Sequence, residues 1–367
     1  MQFTCEKNRL MEGLHLVGRV VSSRTPLPIL ECVLLVVSAD GTLTLSANDM
    51  EISINTAPIP AEVEVPGAVA LNARLLTEIV RKMPGDLVRI ECDEKLNTLC
   101  KSGRARFNIG GMPADEFPVM PQAEPTAGYS LPAVVLKDMI RQTIFSVSPD
   151  HSKPILTGEL LEIKNNSFTL VALDSYRLSF RHEVVQEDLK DHSVVLSAKT
   201  LGELSRALPA EEDYPVNFYF SDRWAVFETS HFSFMSRLLD GEFPPYERLL
   251  HEDFSTLVVV ERLPLLNALE RAVLIAQENK LSQVRLNIED EFIVITSNTD
   301  MGQAYDEVTC ETDGKPIEIN FNSRYLIEAL RVIDDEKILL KFNGAGSPLI
   351  IRSVKEDAYK YLIAPVR

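Results

Sequence analysis

The stretch "LNARLLTEIVRKMP", residues 71–84, has the spacing of an amphipathic helix. Four apolar residues recur at helical intervals and are expected to face a core. They are Leu75, Leu76, Ile79 and Val80. Arg74, Glu78 and Arg81 lie at i, i+4 and i+7, which places them on one stripe of another face. A solvated polar face explains such a stripe in one helix, so its meaning depends on the rest of the chain.

The same pattern occurs twice more at a fixed period. "LSAKTLGELSRALP" covers residues 196–209 and "FNSRYLIEALRVID" covers residues 321–334, so successive copies begin 125 residues apart. Each copy holds a base, an acid and an arginine at the same places. These triplets are Arg74/Glu78/Arg81, Lys199/Glu203/Arg206 and Arg324/Glu328/Arg331. A period this long indicates three similar domains rather than a solenoid.

Other segments follow the same period. Each copy opens with a predicted strand and helix, as in "FTCEKNRLMEGLHLVGRVV" from Phe3, and continues with two strands around a turn, as in "GELLEIKNNSFTLVALD". Each unit is therefore predicted to be β-α-β-β-β followed by α-β-β-β. The fold class is α+β, with sheets on one side and two helices on the other. We expect domains at residues 1–125, 126–253 and 254–367.

Composition limits the class of protein. The 367 residues carry a net charge of −17, and no stretch approaches the roughly 18 apolar residues of a membrane span. The five cysteines form no CxxC pair, which argues against a disulfide framework or a zinc site. They are Cys5, Cys32, Cys92, Cys100 and Cys310. We expect a reduced, cytoplasmic protein without metal or cofactor.

The predicted helices differ in charge from the rest of the chain. Six spans, 6–20, 73–82, 135–146, 198–207, 262–276 and 323–332, hold 14 Lys and Arg against 7 Asp and Glu. The helices thus carry +7, and the remainder of the −17 chain carries −24. Salt-bridge patterning within helices is the simpler explanation for any one of them. A basic helix layer in an acidic protein is the alternative, because each of the six spans is net positive.

Three like domains in a row suggest an assembly. Exposed sheet edges invite pairing, and two head-to-tail contacts between two chains would close a ring. Helices on one face of every unit would then line the hole. A basic lining suits a polyanion such as duplex DNA, and contacts with phosphates carry no sequence information. The acidic exterior would repel DNA elsewhere.

Several segments together resemble the bacterial sliding clamp family, the beta subunit of DNA polymerase III, over the whole chain. The segments are "MQFTCEKNRL", "RTPLPIL" at 24–30, "ARFNIGGMPADEFP" at 105–118, "SKPILTG" at 152–158, "ALDSYRLSF" at 172–180, "DGEFPPYERLL" at 240–250 and "YLIAPVR". The resemblance implies a processivity factor without catalysis. It implies a head-to-tail homodimer that encircles double-stranded DNA and tethers the replicative polymerase. Clamp loader subunits, repair polymerases, mismatch repair proteins and ligase are further implied partners.

The resemblance also implies a pocket between the second and third domains for peptide tails of partners. The implied residues are Leu156, Leu173, Tyr176, Arg177, Leu178, Pro244, Arg248, Leu249, Asn322, Tyr325, Leu362, Ala364, Pro365, Val366 and Arg367. Apolar walls would take the anchors of an extended peptide, and Arg177 and Arg248 would orient its polar atoms. The second repeat reads "ALDSYRLS" where the others read "ANDMEIS" and "SNTDMGQ", so Tyr176 and Arg177 occur only there. A strand end with its own local pairing is the alternative explanation.

Two further sets complete the predicted sites. For DNA contact they are Arg24, Arg74, Arg81, Lys137, Arg141, Lys153, Lys199, Arg206, Arg324 and Arg331. A solvated charge, or an ion pair with a neighbouring Glu, is the alternative for each. For the dimer contact they are Arg104, Arg106, Phe107 and Ile109 in the first domain and Leu274, Ile275, Asp300, Asp306 and Glu307 in the third.

An enzyme and a protein scaffold that binds no DNA are the rival classes. The six histidines lie far apart without an HxxxH or HExxH motif, and Ser175 has no GxSxG setting. "NIGGMP" and "NGAGSP" are glycine turns without the helix and lysine of a phosphate loop. We therefore expect no catalysis. Neutralising basic residues of the helices would separate a DNA clamp from a scaffold.

Overall fold

The computed structural model describes residues 1–22, 25–118, 128–186, 189–209, 214–250, 253–276, 282–355 and 357–366. Within it the chain divides into two compact units. The first unit comprises Met1–Val134 and Arg206–Leu238. The second comprises Val135–Ser205 and Leu239–Arg367.

The secondary structure follows the three repeats in chain order. The first repeat contains β1 (Gln2–Glu6), α1 (Lys7–Val17), β2 (Cys32–Ser38), β3 (Thr42–Asn48), β4 (Ile52–Thr56), β5 (Ile59–Pro60), β6 (Glu62–Val65), β7 (Gly67–Asn72), α2 (Ala73–Lys82), β8 (Leu87–Cys92), β9 (Asn97–Ser102) and β10 (Ala105–Gly110). The second contains β11 (Gly128–Pro132), α3 (Ala133–Thr143), β12 (Gly158–Lys164), β13 (Ser167–Leu173), β14 (Arg177–Val184), β15 (His192–Ser197), α4 (Ala198–Ala207), β16 (Pro215–Phe220), β17 (Trp224–Glu228) and β18 (Phe232–Arg237). The third contains β19 (Thr256–Glu261), α5 (Arg262–Ala276), β20 (Gln283–Ile288), β21 (Phe292–Thr299), β22 (Gly302–Gly314), β23 (Ile317–Asn322), α6 (Ser323–Val332), β24 (Lys337–Phe342), β25 (Leu349–Ser353) and β26 (Tyr359–Ile363).

The strands of each unit form antiparallel sheets. The described residues of the first unit make a five-stranded sheet in the order β10-β9-β8-β1-β6 and a nine-stranded sheet in the order β11-β16-β17-β18-β4-β3-β2-β7, with β5 on β3. Those of the second unit make one twelve-stranded sheet in the order β15-β12-β13-β14-β26-β25-β24-β19-β22-β21-β20-β23. Helices pack on one face of these sheets, so the core of each unit lies between a helix layer and a sheet.

The repeat is more regular than the sequence pattern predicted. A strand precedes the second helix of every copy, at Gly67–Asn72, His192–Ser197 and Ile317–Asn322, so each half contains β-α-β-β-β, with the short β5 and β6 added in the first repeat. The prediction of α-β-β-β for the second half was wrong because the short apolar run before each helix was included in the helix. The helices themselves begin at residues 73, 198 and 323, which preserves the 125-residue period.

Side-chain caps decide where these helices begin. The side chain of Asn72 accepts a hydrogen bond from the Leu75 backbone N–H at 3.0 Å, which satisfies one free donor of α2. Leu76, Ile79 and Val80 are buried as expected, whereas Leu75 is 47% exposed. Successive helical residues turn by about 100°, so Leu75 lies outside the stripe centred on Leu76. The expectation that Leu75 faces the core was wrong.

The second unit buries one carboxyl group in its core. Glu159 of β12 is fully buried, and the hydroxyl of Thr143 contacts both Glu159 Oε2 and, at 2.8 Å, the Met139 carbonyl. Burial raises the pKa of Glu159 to about 8. Since a hydroxyl carries one proton, a protonated Glu159 can donate to Thr143 while Thr143 donates to Met139. Glu159 Oε1 has no hydrogen-bond partner within the described residues, as expected of a neutral group in an apolar setting.

Glu159 makes stability depend on pH. The unfolded carboxyl has a pKa near 4.5 and the folded one about 8, so the unfolded state loses its proton first as pH rises. The free energy of unfolding should therefore fall between these values, by at most about 1.4 kcal/mol per pH unit from this group. Urea unfolding of Glu159→Gln should show a smaller fall between pH 5 and pH 8 than the wild type. Glu94→Gln, at an exposed turn, is the control, and an equal fall in all three proteins would contradict the assignment.

Candidate functional site

The candidate site lies in the second unit, where the middle repeat meets the C-terminal strand. β14 pairs antiparallel with β26, and Leu178 lies opposite Leu362. Residues opposite one another in a sheet point to the same face, so these two leucines share a surface. Residues far apart in the chain thereby come together.

An apolar cluster forms around this pair. Its buried members among the described residues are Leu156, Leu160, Val171, Leu173, Leu178, Val195, Tyr246 and Leu362. Leu156, Leu173, Leu178 and Leu362 were predicted as pocket residues, and the structure brings them together. The other four were missed. Leu160, Val171 and Val195 lie in apolar strand segments, a pattern that predicts burial but does not predict which residues pack together.

A tight turn at the end of β13 shapes the rim of the cluster. The carboxylate of Asp174 accepts hydrogen bonds from the backbone N–H groups of Tyr176, at 2.7 Å, and Arg177, at 3.0 Å. These two bonds stabilise an Asx-type turn. The turn directs Tyr176 outward, where its side chain is 59% exposed.

Arg177 lies behind the rim in a set of close contacts. Its Nε donates to Asp174 Oδ2 at 3.1 Å and its Nη1 to Glu328 Oε2. The guanidinium lies 4.4 Å from the ring centroid of Tyr325 and 5.6 Å from that of Phe145. The Arg177 side chain is only 11% exposed, so it is largely a buried group with paired charge.

The C-terminal residues extend along the same rim. The Ala364 N–H donates to the Tyr176 carbonyl and the Val366 N–H to the Asn320 carbonyl, both at 2.8 Å. The ring of Tyr176 stacks on Tyr325, with centroids 6.3 Å apart and planes 23° from parallel. Predicted Ala364, Pro365 and Val366 thus border the aromatic pair, while predicted Arg367 lies outside the described residues.

The remaining predicted pocket residues flank the cluster or support it. A short 3-10 helix, Tyr246–Leu249, follows Pro244, and the Tyr246 hydroxyl donates to Glu162 at 2.9 Å. Within it Leu249 is 47% exposed and Arg248 is exposed. The side chain of Asn322 caps α6 by accepting from the Arg324 N–H at 3.0 Å. Asn322 therefore has a structural task whether or not it meets a ligand.

The equivalent place in the first unit carries a smaller apolar cluster, made of Ile29, Leu30, Cys32, Ala70 and Phe117. There β4 pairs with β18, and Ser53 lies opposite Met235 as Leu178 lies opposite Leu362. The period of 125 residues sets Asn48 where the second repeat has Leu173. Asn48 is 2% exposed and donates to the Pro118 carbonyl at 3.0 Å. The first unit thus repeats part of the apolar cluster, but it has polar Asn48 and Ser53 where the second repeat has Leu173 and Leu178.

The repeated helices present their basic residues outward. Arg74, Lys199 and Arg324, at the second position of α2, α4 and α6, are all exposed. Of the other predicted DNA contacts, Arg81, Lys153, Arg206 and Arg331 are exposed, Lys137 and Arg141 are half-buried, and Arg24 lies outside the described residues. The predicted stripe is therefore available to a ligand on each of the three helices.

Some of these arginines already hold carboxylates. Arg81 pairs with Glu78 of the same helix, and Arg331 Nη2 lies 2.7 Å from Glu270 of α5. Arg141 Nη2 lies 2.6 Å from Asp334. Exposed pairs are worth about 0.2–1 kcal/mol, so a phosphate can displace the carboxylate. The ion-pair alternative and the DNA alternative are thus compatible for these residues.

A groove of about 760 Å³ runs between α1 and α2 in the first unit. Leu14 and Ala73 contribute to its floor, and Arg19 and Arg74 line it together with His15. His15 and Arg19 were not among the predicted DNA contacts. Only the packing of α1 against α2 places them beside Arg74.

The predicted dimer residues lie on exposed strand and helix surfaces. β10 is an edge strand that pairs only with β9 in the described chain, and its Phe107 is 40% exposed. In the second unit Leu274 is 70% exposed, and Asp306 accepts from Arg271 at 2.6 Å. β22 pairs with β21 over residues 302–309, and no other described strand pairs with that stretch. Each unit thus offers an unpaired strand edge.

Comparison with known proteins identifies the family. The profiles of the DNA polymerase III beta subunit match over the whole chain: the N-terminal domain at residues 1–121, the central domain at 130–245 and the C-terminal domain at 247–367. The chain is 35% identical to the beta sliding clamp of Bacillus subtilis strain 168 over all of both chains. It is also similar to the crystal structure of the Bacillus subtilis sliding clamp, with a TM-score of 0.96 and 34% identity over 100% of this chain and 99% of that one. A Pseudomonas aeruginosa clamp bound to griselimycin has a TM-score of 0.94 and 31% identity over the same shares.

The chain belongs to the DNA polymerase III beta subunit family, the bacterial sliding clamps. The predicted fold class of three repeated α+β clamp domains is confirmed. The predicted function, a processivity clamp of DNA replication, is confirmed as well. Members of the family are not enzymes, so membership also confirms the expectation of no catalysis.

Two further observations concern metals and membranes. In the described ranges no group of three or more His, Cys, Asp and Glu residues is arranged to hold a metal ion. The helices of that part of the chain are too short or too polar to cross a membrane.

Proposed function

We propose that this chain works as a head-to-tail homodimer that encircles duplex DNA and holds the replicative polymerase by a peptide tail. The three domains are proposed at residues 1–125, 126–253 and 254–367, each contributing two helices to the lining. One observation carries the proposal of a tail-binding site: the apolar cluster of the second unit is bordered by the stacked rings of Tyr176 and Tyr325.

The pocket suits an extended peptide with apolar anchors. Buried leucines at its base supply an apolar floor, and exposed Leu249 and Tyr176 stand at its edges. Binding sites of this kind gain most of their affinity from a few buried anchors. Arg248 is exposed and is proposed to orient polar atoms of the peptide.

The helix surface suits the DNA backbone. Arg74, Lys199 and Arg324 are exposed at one position of three equivalent helices, in a helix set that carries +7 against −24 elsewhere. Lysine and arginine that meet phosphates bind without regard to sequence and release counterions. Predicted Arg24 remains part of this proposal on sequence grounds alone. A scaffold that binds no DNA would have no use for this charge distribution.

The dimer is proposed to form by strand addition between β10 of one chain and β22 of the other. Both edges are unpaired over the relevant stretch of the described chain. Arg104 and Arg106 are exposed on the first edge, and Asp300 and Glu307 are exposed at the second. Opposite charges at two edges favour the head-to-tail contact over contact between like edges.

Clamp loader subunits, repair polymerases, mismatch repair proteins and ligase are proposed to use the same pocket in turn. Tail peptides that share one apolar cluster and its aromatic rim exclude one another, which supports exchange between partners rather than simultaneous binding. We propose that this exchange takes place in the cytoplasm.

Leu173→Asn tests the pocket, because it installs the residue that the first repeat carries at the equivalent position. Calorimetric titration with a synthetic C-terminal peptide of the replicative polymerase should show at least about 30-fold weaker binding, as expected for a buried anchor site. Val184→Asn, at the far end of β14 and 66% exposed, is the matched control and should bind as the wild type does. Unchanged binding in Leu173→Asn would reject the pocket.

Replacement of Arg74, Lys199 and Arg324 by Ala tests the DNA surface. Loaded clamps should dissociate faster from nicked circular DNA. The slope of log affinity against log salt should fall by about 0.9 for each phosphate that the variant no longer neutralises. Lys95, Lys164 and Lys315 are exposed at strand ends or in the connections between strands, and they give a triple-Ala control with the same change in charge. Equal retention of both triple variants would show that these helices do not contact DNA, and would favour a scaffold.

Leu274→Asp tests the dimer. A charge placed in an apolar contact without a partner is costly, so the variant should sediment as a 41.1 kDa monomer at micromolar concentration, against twice that mass for the wild type. Leu263→Asp alters the other end of α5, where the side chain is 54% exposed, and should remain dimeric. A dimeric Leu274→Asp, or a monomeric wild type, would overturn the proposed interface.

A further inference from the structure

Glu328 occupies an unexpected place for its position in the repeat. It is the acid of the third triplet and was expected on the solvated stripe between Arg324 and Arg331. Its carboxylate instead accepts a hydrogen bond from Arg177 of β14. The equivalent acid of the first repeat, Glu78, pairs with Arg81 of its own helix. At the same repeat position, Glu78 thus pairs within its own helix, whereas Glu328 pairs with a residue of another repeat.

Two carboxylates form ion pairs with the guanidinium of Arg177, one from a residue close in sequence and one from a distant helix. Asp174 belongs to the turn before β14, and Glu328 belongs to α6. The Arg177 and Asp174 side chains are 11% and 9% exposed, whereas that of Glu328 is 43% exposed. Charge-assisted hydrogen bonds of this kind are stronger than neutral ones, and they also fix the orientation of the guanidinium. Asp174 also shapes the backbone turn, so Glu328 is the partner whose removal leaves the rim backbone intact.

The two ion pairs hold the Arg177 guanidinium in contact with the aromatic rim, which consists of Tyr176 and Tyr325. The guanidinium lies 4.4 Å from the centroid of Tyr325, whose other neighbour in the stack is Tyr176. The cation–π attraction between the guanidinium and the Tyr325 ring favours this contact, and the two carboxylates keep the guanidinium in place. The positive charge of Arg177 is thus neutralised by two acids and covered by aromatic rings. A peptide side chain that reaches this rim meets a flat aromatic surface instead of a free cation.

We propose that Glu328 is a positioning residue of the peptide pocket. It holds Arg177 on Tyr325, keeps the Tyr176–Tyr325 pair stacked, and withholds the Arg177 charge from the ligand. The rim therefore selects an aromatic or aliphatic side chain over an acidic one. This inference rests on the proposed function of the pocket.

The test compares Glu328→Gln with Glu78→Gln, which removes the same charge at the same repeat position in the first repeat. Two synthetic peptides serve as probes: the C-terminal peptide of the replicative polymerase, and the same peptide with its terminal apolar anchor replaced by Glu. Calorimetric titrations give the ratio of the two dissociation constants for each protein. A general drop in stability would weaken both peptides, so the ratio reports selectivity and not folding.

Glu328→Gln should lower the preference for the apolar peptide by about tenfold, which corresponds to about 1.4 kcal/mol. Glu78→Gln should leave it unchanged. In an Arg177→Gln background, Glu328→Gln should add no further change, because the two residues act as one unit. A ratio within about twofold of the wild type in Glu328→Gln, or an equal shift in Glu78→Gln, would overturn the inference.

The outcome is separable from that of the pocket itself. If Leu173→Asn binds the polymerase peptide as the wild type does, the proposed pocket is wrong and the inference falls with it. If Leu173→Asn abolishes binding while Glu328→Gln keeps the wild-type ratio, the pocket stands and only the role of Glu328 is rejected.

Discussion

The antiparallel pairing of β14 with β26 is the interaction on which the apolar cluster, and with it the proposed peptide pocket, depends. It sets Leu178 beside Leu362, residues that the chain separates by an entire domain, and the leucines of β12 and β13 pack around them. Burial of each leucine contributes roughly 1.5–3 kcal/mol, whereas a buried ion pair such as Arg177–Asp174 loses much of its Coulomb attraction to the cost of desolvation. The apolar cluster therefore holds these strands together. The Arg177 ion pairs decide how the rim is oriented, not whether the site forms.

Comparable pairing in the first unit yields a different surface. β4 and β18 meet in the same antiparallel manner, but Ser53 and Asn48 stand where the second repeat has Leu178 and Leu173. Asn48 donates to a backbone carbonyl, which allows this polar side chain to be buried where the second repeat has a leucine. The repeats share backbone hydrogen bonds, which depend little on side-chain type. They differ in side chains that are buried on one face of the strands, which can vary while the sheet is kept.

The helix layer shows how weak interactions suit a mobile ligand. Arg81 and Arg331 form exposed ion pairs with carboxylates, and each pair contributes little to stability. Exchange of a carboxylate for a phosphate is then nearly neutral in free energy. A surface built from such pairs binds a passing backbone without holding any one position, which fits a clamp that must move along DNA.

The sequence by itself predicted the architecture because each repeat has apolar, charged and turn residues at corresponding positions. The 125-residue period, the apolar spacing of the helices and the turn residues all concern contacts within a few residues, which local pattern determines. Those signals predicted three α+β domains and the exposed bases of α2, α4 and α6, whereas the four leucines that meet in the apolar cluster were implied by the resemblance to sliding clamps. The same signals misplaced Leu75, and they missed the strands before the second helices, since a short apolar run reads equally well as helix or strand.

Only the tertiary structure decided which distant groups meet. Nothing in the spacing of Glu328 distinguishes it from Glu78, yet one reaches Arg177 across two repeats and the other stays on its own helix. Long-range contacts depend on the packing of whole elements, so a repeat position does not determine its partner. The sequence determined the repeated domains and the sign of their helix surface, and the fold decided where the pocket lies and which charges are paired across repeats.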